Sequence, residues 1–219
     1  SQLMRVPVSI TYTKESLAIY QSIYHYKRSA ECQILLGISY RRIGEYEKAE
    51  ESYVLAWKIA ELSNNKSLQA VICHNLGNLY SDKKQHEKAI KEFKNSYELK
   101  KNATNSAKLN SVYSIMDEYF ELGFTSQAKE WLEIGKGLIT DERDHEKYKI
   151  AFRMMEYILS SRYDELDTYF LEIALPYFRK QHMKEFVIKF SERLAVHFES
   201  TYKYKKSSFY YSLCYKELI

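Results

Sequence analysis

Residues of alternating size recur along this 219-residue chain at a period near 40, and a fixed period of that length constrains architecture more than any local propensity. Gly37, Tyr40, Ala49, Tyr53 and Ala56 return 40 positions later as Gly77, Tyr80, Ala89, Phe93 and Ser96. A further shift of 39 gives Met116, Tyr119, Ala128, Leu132 and Gly135. Shifts of 38 and 41 then reach Met154, Tyr157, Leu166, Phe170 and Ile173, and Ala195, Phe198, Ser207, Tyr211 and Cys214. Within each copy the first pair is three residues apart and the last three are spaced four and three, so each set lies on one helical stripe. The pattern therefore predicts two helices per copy, with small residues where helices cross and a large aromatic filling the groove beside them. Such a pair leaves one face bare, which stacking covers.

Composition agrees with long helices and short connections. Only 6 Gly and 2 Pro occur, too few for an all-β sandwich or barrel, which needs a turn every 8 to 12 residues or so. Short within-pair turns are expected at Arg42 to Tyr46 and Glu121 to Phe124, where Gly44 and Gly123 can end a helix in the left-handed conformation. The polar stretches 64–67, 102–106, 140–146 and 180–184 read as turns between copies. The expected organisation is a second helix of an incomplete repeat over residues 1–28, centred on Thr13 to Tyr26. One domain of about five pairs follows (29–63, 69–101, 107–139, 146–180, 185–219). On this reading the chain is a fragment of a longer protein.

Charge is nearly balanced, with 33 Lys and Arg against 29 Asp and Glu, and the signs alternate. The basic clusters Lys94 to Lys101 and Lys203 to Lys206 are interrupted, as solvated helix faces are. Cys32, Cys73 and Cys214 are odd in number and far apart, without metal-ligand spacing, and read as small buried fillers in a reducing compartment. With no run of 18 apolar residues and no signal-peptide core, a cytoplasmic protein without a membrane partner is expected. No phosphate loop, nucleophile elbow or zinc-helix motif occurs, and the six histidines are dispersed, so no catalytic residues, metal or other cofactor are expected and the chain reads as a non-enzyme.

Leu36-Gly37-x-x-Tyr40 followed by Gly44-x-Tyr46-x-x-Ala49-x-x-x-Tyr53-x-x-Ala56 resembles the tetratricopeptide repeat. Leu76-Gly77-x-x-Tyr80 with Ala89-x-x-x-Phe93 is a second clear copy. The resemblance implies an all-α, right-handed superhelix, an α-solenoid, with helices longer than the usual 34-residue repeat allows. A narrower resemblance rests on Cys73 to Tyr80, Glu87 to Ile90, Ala174 to Phe178 and Tyr204 to Ser207. These stretches are similar to the cytoplasmic peptide-pheromone receptors of Gram-positive bacteria, the Rap phosphatases and the NprR-type and PlcR-type regulators, and NprR-type is the nearest. That resemblance implies a regulatory domain whose inner groove, made by the first helices, binds a short signalling peptide. DNA would be reached only through an amino-terminal domain outside this chain, and a homodimer is a further expectation.

The family's groove asparagine corresponds to Asn75; helical spacing adds Asn78 and Asn110, with His74 beside them. An Asn amide donates and accepts at once and can clamp a peptide backbone, or it can serve as a surface or loop-packing group. Arg41 and Arg42 either complement the α-helix dipole or form a fork for a carboxylate. Asp117 and Glu121 either receive a peptide amine or are solvated. Tyr113, Phe120, Tyr148 and Phe152 either build side-chain pockets or pack the core. The other functional readings are a generic tetratricopeptide scaffold for a partner protein, and self-association through edges such as Phe209-Tyr210-Tyr211.

Overall fold

A computed structural model describes residues 2–140, 142 and 145–218, with side chains from residue 6 onward. Part of the expected turn 140–146 and the two terminal residues thus lie outside the described residues. The described residues form helices joined by short turns, and no strand occurs among them. In order, the helices are α1 (Gln2–Ser22), α2 (Tyr26–Arg42), α3 (Tyr46–Leu62), α4 (Lys66–Asp82), α5 (His86–Leu99), α6 (Asn105–Glu121), α7 (Thr125–Leu138) and α8 (Glu146–Leu159). They continue as α9 (Tyr163–Tyr169), α10 (Leu175–Lys180), α11 (Lys184–Ser200) and α12 (Tyr204–Leu218). They are tetratricopeptide-like pairs, α2 with α3, α4 with α5, α11 with α12. The chain divides into two compact units, Ser1–Ile134 and Gly135–Ile219.

Pairing depends on absent Cβ atoms. A Cβ built on Gly37 would lie 2.3 Å from the Tyr53 ring, and one on Gly77 would lie 2.5 Å from Phe93. Each glycine opens a slot in the first helix of its pair, and the aromatic of the second helix enters it until fully buried. Burying a ring of this size stabilises the fold by about 1.5–3 kcal/mol. Around Tyr53 the core continues through Ala30, Ile34, Ala49, Ala56, Ala60 and Ile72; around Phe93 it continues through Ala89, Ile90 and Ile115.

The turns share one device. At Gly44 the φ angle is 79°, Gly44 N donates to Arg41 O, and Glu45 N donates to Tyr40 O. This paired closure is a Schellman motif, which satisfies the last carbonyls of a helix. It recurs at Tyr24, Asn64, Lys84, Gly123, Ser161, His182 and Tyr202, all at positive φ. The carbonyl that accepts from the residue five positions on belongs to Tyr20, Tyr40, Tyr80, Tyr119, Tyr157, Phe178 or Phe198 at all but one turn, the exception being Ala60. Side chains close the motif too: the Tyr119 and Phe124 rings are 6.4 Å apart, and Arg162 lies over the Tyr157 ring at 4.8 Å. The helix expected over Thr13 to Tyr26 consequently ends earlier, because Tyr24 takes the left-handed turn and α2 begins at Tyr26. Helix starts use side-chain caps where they exist, as at Asn65, whose Oδ1 accepts from Leu68 N at 3.1 Å.

In the second unit, α9 and α10 are joined by a π-helical turn, Phe170–Ala174, in which Leu175 N donates to Phe170 O. Pro176 stands just beyond it. Proline has no N–H, and its ring crowds the carbonyl four residues back, so a wider turn before it relieves the clash without ending the helix.

Candidate functional site

Helices α2 and α4 are the first members of two successive pairs, and α6 follows them in the array. Residues about 100° apart on a helix wheel place Val71, His74, Asn75, Asn78 and Asp82 on one side of α4. This side meets its neighbours through polar contacts. Arg41 Nη1 of α2 donates to Asp82 Oδ2 of α4 at 2.6 Å. The two residues are 41 apart in sequence, one repeat, so the bond links equivalent helix ends. Both side chains keep partial exposure, 23% and 37%, so the pair contributes at most about 1 kcal/mol. The Nε of Arg41 is buried without a hydrogen bond.

The next link joins α4 to α6: Asn110 Nδ2 lies 2.8 Å from His74 Nε2. An amide nitrogen only donates, so Nε2 accepts and the ring proton sits on Nδ1. That nitrogen is buried with no hydrogen-bond partner. Burial first, and then the charges of Lys100 and Arg41, push the His74 pKa down to about 3, so the ring is neutral at physiological pH. Phe93 packs 5.1 Å from it. Asn75 donates through Nδ2 to Val71 O at 2.9 Å, in its own helix. That bond uses one of its two N–H groups. Asn78 is half-buried one turn beyond His74.

A third link was not foreseen from the sequence. Glu118 of α6 is buried; its Oε1 accepts from Ser81 Oγ of α4 at 2.5 Å, and His86 Nδ1 of α5 lies 2.7 Å from its Oε2. One carboxylate thus fastens three helices. The available signal was its position: Glu118 follows Ile115 by three residues, on the stripe that packs the core, where a carboxylate needs partners.

The sequence candidates separate accordingly. His74, Asn75, Asn78, Arg41 and Asn110 meet on the α2–α4–α6 face. Arg42 is exposed in the last turn of α2, where it complements the helix dipole. Tyr113 and Asp117 are buried within α6 at 6% and 5% exposure, so neither is an open groove residue. Phe152 belongs to the second unit and is a correction: it is 1% exposed, because the missing side chain of Gly135 leaves a slot that its ring enters, a Cβ there falling 2.4 Å from Phe152 Cζ. Tyr148 stacks on it at 6.2 Å. Phe120 is half-buried and Glu121 exposed at the end of α6. Cys73 is buried, and its thiol is pushed up to about 12 by burial and the nearby Glu92 carboxylate, which makes it a filler and not a nucleophile. No group of three or more metal-ligating side chains is found among the described residues, and no described helix is long and apolar enough to cross a membrane.

Tetratricopeptide-repeat models match residues 32–61 and 70–102. The chain is similar to the transcriptional activator NprA of Geobacillus stearothermophilus, with 38% identity over all of this chain and 55% of that protein. Among solved structures, apo RapI superposes with a TM-score of 0.82 at 20% identity, over 99% of this chain and 59% of that one. NprR in complex with its cognate peptide NprX gives 0.75 at 21% identity, over 95% and 59%. The chain spans about half the length of the relatives it matches.

Proposed function

Because this chain is a tetratricopeptide-repeat domain homologous to the regulator NprA and folded like the Rap and NprR proteins, we propose that it senses a short signalling peptide and passes that binding to a regulatory output. The site is the polar face of α2, α4 and α6. The single observation that carries the reading is that His74, Asn75, Asn78, Asn110 and Arg41, candidates from the sequence, fall on the one face that α2, α4 and α6 share.

The chemistry suits an extended peptide. Amides at Asn75, Asn78 and Asn110 pair backbone N–H and C=O groups without reading side chains. The Arg41 guanidinium offers a carboxylate of the peptide a charge-assisted bond in exchange for Asp82. Asn75, Asn110 and Arg41 are held by Val71, His74 and Asp82, so a peptide must replace these bonds with its own. Regulation requires that the peptide bind two arrangements of the repeats unequally. On this reading the output is transcriptional, any DNA contact or dimerisation involves parts of the protein beyond this site, the chain is a regulatory and not a catalytic element, and it works in the cytoplasm.

Calorimetric titration with a heptapeptide pool tests it. The expected result is a micromolar binder whose affinity drops at least tenfold in Asn75→Ala and in Arg41→Ala. Absence of any peptide binding tighter than millimolar, or unchanged affinity in both variants, would sink the reading.

A further inference from the structure

On the side of α4 away from Asn75 and Asn78, a cleft of about 540 Å³ opens between α3 and α5. Its floor is apolar: Trp57 of α3, Leu76 of α4 and Leu99 of α5, with the thiol of Cys73 beneath. One wall is acidic. Glu92, Asn95 and Glu98 are spaced by three residues, so α5 presents them as a single stripe to the cleft.

Neither carboxylate has a cation. Glu92 accepts from Asn95 Nδ2 at 3.3 Å and meets the Cys73 thiol, and among the described residues neither Glu92 nor Glu98 takes part in an ion pair. The aromatic floor is vacant in the same sense. Trp131 carries Lys94 at 5.9 Å from its ring, and Tyr80, Tyr119 and Phe198 each carry a lysine, but no cation of the described chain lies over Trp57. An indole face beside two unpaired carboxylates suits a long cationic side chain, whose methylenes lie on the ring while its head meets the acids. The whole chain is +4, so a basic ligand would be drawn here by local and not by net charge.

We propose that this cleft docks a lysine- or arginine-bearing segment of a partner protein, at a surface separate from the peptide face. The site would let a second protein engage α3 and α5 while the α2–α4–α6 face remains free.

The chain contains two tryptophans, so the Trp131→Phe variant leaves Trp57 as the sole indole reporter. In that background, an eleven-residue peptide of alternating leucine and lysine is titrated while Trp57 emission is recorded, with a leucine–glutamate peptide as control. The expected result is saturable change with the lysine peptide alone, at least tenfold weaker in the Glu92→Gln/Glu98→Gln double variant. Asn95→Lys, which places a cation inside the cleft, should abolish it. Asn75→Ala should leave it unchanged, which separates this site from the peptide face. Equal response to both peptides, unchanged affinity in the double variant, or a Trp57 change traced by sedimentation to self-association without peptide would each overturn the proposal.

Discussion

His74 shows how one residue binds energetics to the candidate site. Its ring is neutral because burial and two nearby cations disfavour the imidazolium, holding the pKa near 3 against an ordinary 6.5. In the unfolded chain the same imidazole takes up a proton below about 6.5. Between the two values the unfolded state binds more protons, so stability rises with pH across that window and falls as pH drops through it. The slope from one such group is at most about 1.4 kcal/mol per pH unit. His74→Gln keeps an amide able to meet Asn110 and removes the titration. Urea unfolding at intervals from pH 6.5 to 4 should show the variant losing less stability than the parent, and parallel curves would mean that His74 is solvated in solution. The sequence singled out His74 only as a neighbour of Asn75. The Phe93 ring of α5 packs against it and Lys100, just past the end of α5, adds a nearby charge, and no local pattern reveals such an environment.

At the scale of elements, the helices were legible and their ends less so. The small-large alternation identified Gly37, Gly77, Tyr53 and Phe93, because close helix crossings tolerate few residue types. Turns at Gly44 and Gly123 were legible for the same reason: glycine advertises positive φ. Lys84, Ser161, His182 and Tyr202 occupy the equivalent position without advertising it, since there the paired Schellman bonds and the aromatic one turn back outweigh the conformational cost. The π-turn before Pro176 was not legible either; a proline near a helix end is compatible with several backbones. The cost of a left-handed side chain is about 1–2 kcal/mol, partly offset by the greater freedom that glycine loses on folding. Lys84→Gly should accordingly stabilise the chain by about 0.5–1 kcal/mol, seen as a higher urea midpoint at constant slope. A lowered midpoint would show that the Lys84 side chain contributes more than its backbone strain costs.

For the whole molecule, the decisive feature is that repeats are held mainly to their neighbours, as expected of a repeat array. The polar links obey this: Arg41 to Asp82, His74 to Asn110, and Ser81 and His86 to Glu118 each join adjacent pairs or helices. The period made the array readable from sequence, whereas these cross-repeat partners lie 32 to 41 residues apart and acquire meaning only once the repeats are stacked. Glu118 is the strongest test of that locality. Removing its carboxylate leaves Ser81 and His86 without their shared acceptor in a buried position, at a cost of about 1–3 kcal/mol. Glu118→Ala should therefore lower the stability of the array by that amount, and hydrogen exchange should report where. Amides of α4, α5 and α6 lose protection, while those of α11 and α12 in the second unit, measured in the same sample, keep theirs. Peptide affinity should fall with it, because α4 and α6 carry Asn75 and Asn110 and depend on this carboxylate for their mutual position. Uniform loss of protection along the chain would instead mean that the array unfolds as one cooperative body.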